Sequence, residues 1–316
     1  MPTPAALPTK TTYLQTPQVD AFVSHLAGLL RGRVLRTPHE FDIRGHNLYD
    51  EYPYWVMLAN GNRGICMTTL EEAFDRYWWD GEDYLRNAAT LAKVQTAAKA
   101  ASALPADHPE AQQRYLSALA KVLEWGAGGT SMKLYTANME WAQRQASKLP
   151  ALLHAGIQTI NSDAPNLDVF ADPNGARMNA GLTKFFALAC DASIIYDSRV
   201  GAALGLLVRM FCQEHALAAV PSELSFRWEP QTGENPLNRD PSSGALRFSR
   251  IYRSSRTWAA WNIRANWVLS AALDLARDTR GAEWCSRADG QRRIEAALFT
   301  LGYQIPSGGG ANANQR

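Results

Sequence analysis

From Ser198 onward the apolar residues Val200, Ala203, Leu204, Leu207, Val208 and Phe211 recur at i, i+3, i+4, i+7, i+8 and i+11. Only an α-helix gathers that spacing onto one side. The helix is entered from Ser193-Ile194-Ile195-Tyr196-Asp197, a short apolar run of extended character that ends in a carboxylate. Asp197 therefore stands at or beside the N-cap. Unpaired backbone N–H groups and the positive end of the helix dipole keep a carboxylate ionised there. A fixed negative charge in that place can oppose a cation developing in a reaction, or it can simply cap the helix.

The same periodicity predicts helices over 19–30, 69–78, 82–103, 109–125, a pair within 132–160, then 182–190, 257–277 and 282–301. Thr69 and Glu72 have capping-box spacing. The Ala-rich run from Ala88 to Ala103 has high helix propensity and little bulk. Two short runs, 54–58 and 64–67, flank Asn60-Gly61 and read as a small hairpin. Residues 161–174 and 221–244 are rich in turn formers and read as loops. The expected class is thus mainly α, with a small β element near residues 54–67. The expected organisation is a disordered tail over 1–18, a helical lobe over 19–130, a helical core over 131–305 carrying Asp197, and a second disordered tail over 306–316.

Charge is close to balanced, at a formal +2, so the chain is not a polycation. Locally it is uneven. Between Arg239 and Arg264 there are six Arg (239, 247, 250, 253, 256 and 264), no Lys, and Asp240 as the one acid. Residues 71–83 lean the other way. The four cysteines are scattered without a Cys-x-x-Cys pair, and Cys190 and Cys212 lie among apolar neighbours. That pattern argues against a disulfide scaffold or a structural zinc site and for reduced core thiols, which suits a cytoplasmic protein. No metal-type cluster of Asp, Glu and His is visible, and neither metal nor cofactor is expected. The proline-containing start lacks a signal peptide's apolar core. No run approaches the roughly 18 uninterrupted apolar residues of a membrane span.

Arg247, Arg250, Arg253 and Arg256 recur at every third position, with Phe248, Tyr252, Trp258 and Trp261 interleaved. Arginines supply phosphate contacts and aromatic rings supply stacking surfaces for bases. A solvated face packed through arginine stems would carry the same residues, but the scarcity of acids favours nucleic acid. Trp261, Asn262 and Arg264 open a helix whose core stripe includes Ala265, Val268, Ala272 and Leu275. On such opening turns an Asn or Arg could read a base edge and a Trp could stack on one. Lys184, thirteen residues before Asp197, is either a partner of that carboxylate, a phosphate ligand, or a solvated first-turn residue.

The string Ile195-Tyr196-Asp197-Ser198-Arg199-Val200, preceded by a short helix containing Lys184, resembles the helix-hairpin-helix DNA glycosylase superfamily. There a Val-Asp-Thr-(His/Asn)-Val type segment carries the catalytic aspartate. The chain is more closely similar to a bacterial branch with an 8-oxoguanine-glycosylase-like fold, whose Trp helix looks like Trp261-Asn262-Ile263-Arg264-Ala265-Asn266-Trp267. The likeness covers about residues 167–276. It implies a two-lobe helical fold and hydrolysis of the N-glycosidic bond of a modified or damaged base, flipped out of double-stranded DNA. Phage defence or repair would be its setting. Asp197 and Lys184 would be catalytic, Tyr196, Trp55, Trp261 and Asn262 would meet the base, and Arg199, Arg247, Arg250, Arg253, Arg256 and Arg264 would hold the DNA. Trp78 and Trp79 are further pocket candidates, although neighbours in sequence cannot both face one cavity.

The chain also departs from the superfamily. Its usual Leu-Pro-Gly-Val-Gly hairpin is replaced by Asn174-Gly175-Ala176-Arg177 and Asn179-Ala180-Gly181. Where lyase-active relatives carry a Schiff-base lysine stand Asn179 and Met178, so the implied enzyme is monofunctional. The cysteine spacing lacks the iron–sulfur motif of some relatives. A catalytically silent DNA-binding or assembly module on the same fold is the alternative.

Overall fold

The computed structural model describes residues 7–43, 52–128, 132–171, 173–231, 236–252 and 254–306. In chain order the elements are Lys10–Leu14 (α1), Pro17–Leu30 (α2), His39–Asp42 (β1), Val56–Met57 (β2), Arg63–Met67 (β3), Leu70–Asp75 (α3), Tyr84–Ser102 (α4), Ala111–Ala127 (α5), Met132–Arg144 (α6), Leu149–Asn161 (α7), Leu182–Ala189 (α8), Ser198–Glu214 (α9), Ser255–Ala276 (α10) and Gly290–Leu301 (α11). Single 3-10 turns lie at Leu167–Phe170 and Ser222–Leu224. The protein is mainly helical with one small antiparallel sheet of order β1-β3-β2. No helix among the described residues is long and apolar enough to cross a membrane.

The chain divides into two compact units, each assembled from separate stretches. One comprises Met1–Gln15, Glu82–Asp197 and Ile251–Ser270; the other comprises Thr16–Gly81, Ser198–Arg250 and Ala271–Arg316. Neither unit begins or ends near residue 130, where a lobe boundary was expected. One transition falls instead at the Asp197–Ser198 bond. A contiguous reading of composition cannot see that distant segments join one core.

In the first unit α5 packs against α4, α6, α7 and α8. Tyr115, Phe185, Phe186 and Phe170 are fully buried and form the aromatic part of that core. The low bulk of the alanine-rich α4 suits its close packing on α5 and α8. Its N-cap, Asp83, accepts the Arg86 N–H at 2.9 Å. The expected disorder over 1–18 is corrected by α1, which is capped by Thr9 and buries Tyr13 against Trp267 at 5.6 Å between ring centroids. Lys10 N–H also donates to the Asp163 carbonyl at 2.7 Å, so a segment too short to show periodicity is tied down by tertiary contacts. Residues 1–6 and 307–316 of the expected tails lie outside the described residues.

In the second unit the expected hairpin is present, with Val56 paired to Gly64 and Met57 to Arg63. Gly61 takes the left-handed φ of +78° that the turn requires. β1 was not anticipated, because its four residues hold too little alternation to register. At α3, Thr69 Oγ1 accepts the Glu72 N–H at 3.1 Å, as its spacing predicts. The Glu72 carboxylate takes the Thr68 N–H at 2.6 Å and the Thr68 hydroxyl at 2.9 Å, and these bonds hold its pKa below the usual range. The helix α9 is buried all round, with every residue from Val200 to Cys212 covered. Its nominally polar side carries Gly201, Ala202 and Gly205, which admit neighbours: a Cβ on Gly205 would lie 2.5 Å from Pro241 Cγ. The four cysteines are free, and burial pushes the Cys212 and Cys285 thiols up to about 11, leaving them inert.

Candidate active site around Asp197

Residues 193–197 have no regular secondary structure and belong to no sheet. Side chains of the first unit take the place of a neighbouring strand. Asn266 Oδ1 accepts the Ile194 N–H at 2.9 Å, and Asn262 Nδ2 donates to the Ile194 carbonyl at 3.0 Å. Thr183 Oγ1 accepts the Tyr196 N–H at 2.9 Å. The clamp is cross-braced: Asn262 Nδ2 donates to Thr183 Oγ1 at 3.2 Å, while Asn266 Nδ2 donates to Ser193 Oγ at 3.1 Å and Asn262 Oδ1 at 3.3 Å. Thr183, Asn262 and Asn266 are 0%, 1% and 4% exposed, so none of these bonds competes with water. Buried amides and backbone groups satisfied in this way favour one conformation over its neighbours.

The clamp leads directly to Asp197, which is half-buried and immediately precedes α9. In the second unit the first turn of α9 is fixed independently. Arg239, itself buried, donates to the Ser198 hydroxyl. The Arg199 guanidinium lies over three rings: Phe299 at 4.1 Å, Tyr303 at 4.8 Å and Trp79 at 5.6 Å. Gly302, just beyond α11, abuts the same backbone, since a Cβ there would sit 1.9 Å from the Arg199 carbonyl oxygen.

No family model matches the chain, and neither a curated protein nor a solved structure shows significant similarity to it.

The structure redistributes the other residues singled out by sequence. Trp261 and Asn262, expected at a base, are 6% and 1% exposed, and Asn262 belongs to the clamp. Tyr196 is fully buried, edge-on to Trp258 at 6.2 Å. These three side chains support the site without lining an open surface. An amphipathic count places an Asn among apolar neighbours but does not tell a buried amide from a base reader. Lys184 is half-buried, and its ammonium donates to the Gly126 carbonyl in the last turn of α5. That is the negative end of the helix dipole. Gly126 is required for the contact, because a Cβ there would lie 2.4 Å from Lys184 Cδ. Lys184 is therefore a strut between α8 and α5, not the solvated residue weighed from its position.

The arginine series runs partly through irregular backbone and is divided between the two units. Residues 241–252 are irregular, so a spacing of three has no helical meaning there. Arg247 and Arg250 are exposed in the second unit, and the Arg250 guanidinium lies 5.3 Å from the Trp228 ring centroid. Arg253 lies outside the described residues. In the first unit Arg256 is half-buried and pairs with Asp168 at 2.8 Å, while Arg264 lies over Trp261 at 4.6 Å and Tyr13 at 5.7 Å. Of the interleaved aromatics, Tyr252 is exposed and Phe248, Trp258 and Trp261 are buried. Trp55 is 37% exposed, with Arg63 over its ring at 4.4 Å. Trp78 packs edge-on to Tyr52 and Tyr54 whereas Trp79 meets Phe299, so the two adjacent tryptophans do face different neighbours.

Two groupings escaped the sequence reading. Thr183 and Asn266 complete the clamp, and the i, i+4 spacing of Asn262 and Asn266 on an apolar helix face was their signal. The ligating atoms of His25, Glu214 and His215 lie within 4.8 Å of one another, which corrects the expectation that no metal-type cluster exists. Only the adjacent Glu214-His215 pair hinted at it.

Proposed function

We propose that this protein is a DNA N-glycosylase, with Asp197 as the group that stabilises the departing base's sugar. The observation that carries the reading is a single half-buried carboxylate at a helix entrance, following backbone pinned by Thr183, Asn262 and Asn266. Breaking an N-glycosidic bond develops positive charge on the sugar. A carboxylate fixed beside that carbon stabilises the transition state more than the ground state. The same oxygen atoms can orient the attacking water and take its proton. Pre-organisation matters because a carboxylate that must first be ordered loses part of its advantage.

The target base has to leave the stack before it can react. Arg247, Arg250, Tyr252 and Trp55 are exposed and offer cations for phosphate and rings for stacking. Double-stranded DNA carrying a modified or damaged base, including phage DNA, is the substrate class this reading names. Base excision without strand cleavage is the expected outcome.

The position of Asp197 directly before α9 also suits a plain N-cap, which favours a catalytically silent DNA-binding or assembly module as the second reading. Mass spectrometry of bases released from modified DNAs separates the two. The glycosylase reading expects free base with the native protein and none with Asp197→Asn, whose DNA affinity is retained. The silent module expects no base with either, and a cap-sized stability loss of about 1 kcal/mol.

A further inference from the structure

We propose that His25, Glu214 and His215 form a binding site for a divalent transition-metal ion of the zinc type, with Arg33 as the side chain the ion displaces. His25 lies on α2, Glu214 ends α9, and His215 follows it, so an ion here would tie two helices of the second unit together. The ligand atoms already sit within 4.8 Å of one another, and His25 Nδ1 is 3.0 Å from Glu214 Oε2.

Both imidazoles are held before any ion arrives. The buried Phe211 ring meets His25 edge-on at 5.5 Å and His215 at 4.5 Å, and Phe22 stacks on His25 at 6.2 Å. The His25 side chain is 4% exposed. Its Nδ1 lies 2.5 Å from an Arg33 guanidinium nitrogen and 3.0 Å from Glu214 Oε2, whereas Nε2 is buried away from them. Nδ1 is therefore the ring nitrogen directed at the cluster, and a neutral imidazole offers its lone pair there.

Arg33 marks the place of a cation. One guanidinium nitrogen touches His25 Nδ1 and lies 3.8 Å from Glu214 Oε2. The Arg33 side chain is 42% exposed, so it can turn into water at small cost. Glu214 and His215 face solvent, which gives an ion a way in. Two imidazole nitrogens and one carboxylate suit zinc, cobalt, nickel or copper over magnesium or calcium, and leave a coordination position for water or an anion.

The test uses the full-length untagged protein, stripped with a chelator and titrated calorimetrically with zinc ion alone in a weakly coordinating buffer. One equivalent should bind and magnesium should not compete. Because Glu214 and His215 are exposed, a Glu214→Gln/His215→Ala protein should keep its native circular dichroism spectrum and lose about tenfold or more in zinc affinity. Arg33→Ala should bind zinc more tightly than the native protein. Zinc should raise the thermal midpoint of the native protein and leave that of the double variant unchanged. No saturable binding to the native protein, affinity undiminished in the double variant, or no gain in Arg33→Ala would each overturn the assignment. None of these results bears on the glycosylase reading.

Discussion

Asn266 Oδ1 accepts the backbone N–H of Ile194 at 2.9 Å, three residues ahead of Asp197, in a site closed to water. A strand neighbour would normally satisfy that donor. Here a side chain does.

Replacing Asn266 by Leu strands the Ile194 N–H and the Ser193 hydroxyl in apolar surroundings. The expected loss is about 1–3 kcal/mol, read as a lower urea midpoint at unchanged slope. Thr183→Val removes one acceptor shared by Tyr196 and Asn262 and should cost a similar amount. If base release is measured, both variants should lose kcat more than DNA affinity, since they touch the placement of Asp197 and not the exposed arginines.

Gly302→Ala should be among the most damaging conservative changes in the chain. The added methyl would have to occupy space 1.9 Å from the Arg199 carbonyl oxygen, where the obstacle is backbone. A loss of about 1–3 kcal/mol by chemical denaturation is expected from such overpacking. Ala at Gly244, which has no neighbour within 4 Å, meets no such clash. The strain of its left-handed φ of +56° is the cost there.

Acid should weaken the fold in a defined window. Burial lowers His39 and His25 from 6.5 to about 4, so the unfolded chain takes up protons that the folded chain refuses. Stability is therefore full above pH 6.5 and falls as the pH drops from there toward 4. His39, fully buried, carries the cleaner signal. In His39→Phe the fall in denaturation midpoint between those pH values should be shallower than in the native protein. An identical slope would show that His39 titrates normally.

Arg247 and Arg250 are exposed, whereas Arg256 is committed to Asp168. A double Arg247→Ala/Arg250→Ala protein should bind duplex DNA more weakly, with a salt dependence reduced by up to about 2 in its logarithmic slope. Arg256→Ala should change that slope less. Fluorescence anisotropy over a salt series makes the comparison.

The regular elements were largely legible because burying one side of a helix leaves a periodic trace, as at Ala111–Ala127 and Ser198–Glu214. What periodicity cannot show is what covers the other side. Gly205, outside the apolar stripe, is where Pro241 approaches, since a Cβ there would lie 2.5 Å from Pro241 Cγ. The position of Asp197 at a helix entrance could be read from local pattern alone. The clamp could not, because Thr183 and Asn262 are 79 residues apart and meet only in the folded chain. Spacing alone also says little about the arginine series: it implies a shared face only where the backbone is regular, and 241–252 is not.

The central claim is tested most directly by mass spectrometry of bases freed from duplex DNAs bearing different modifications, comparing the native protein with Asp197→Asn. The account predicts a released base from at least one modified DNA with the native protein, and none with the variant, although the variant still binds that DNA. Equal release by both proteins, or binding with no release from any modified DNA, would contradict it.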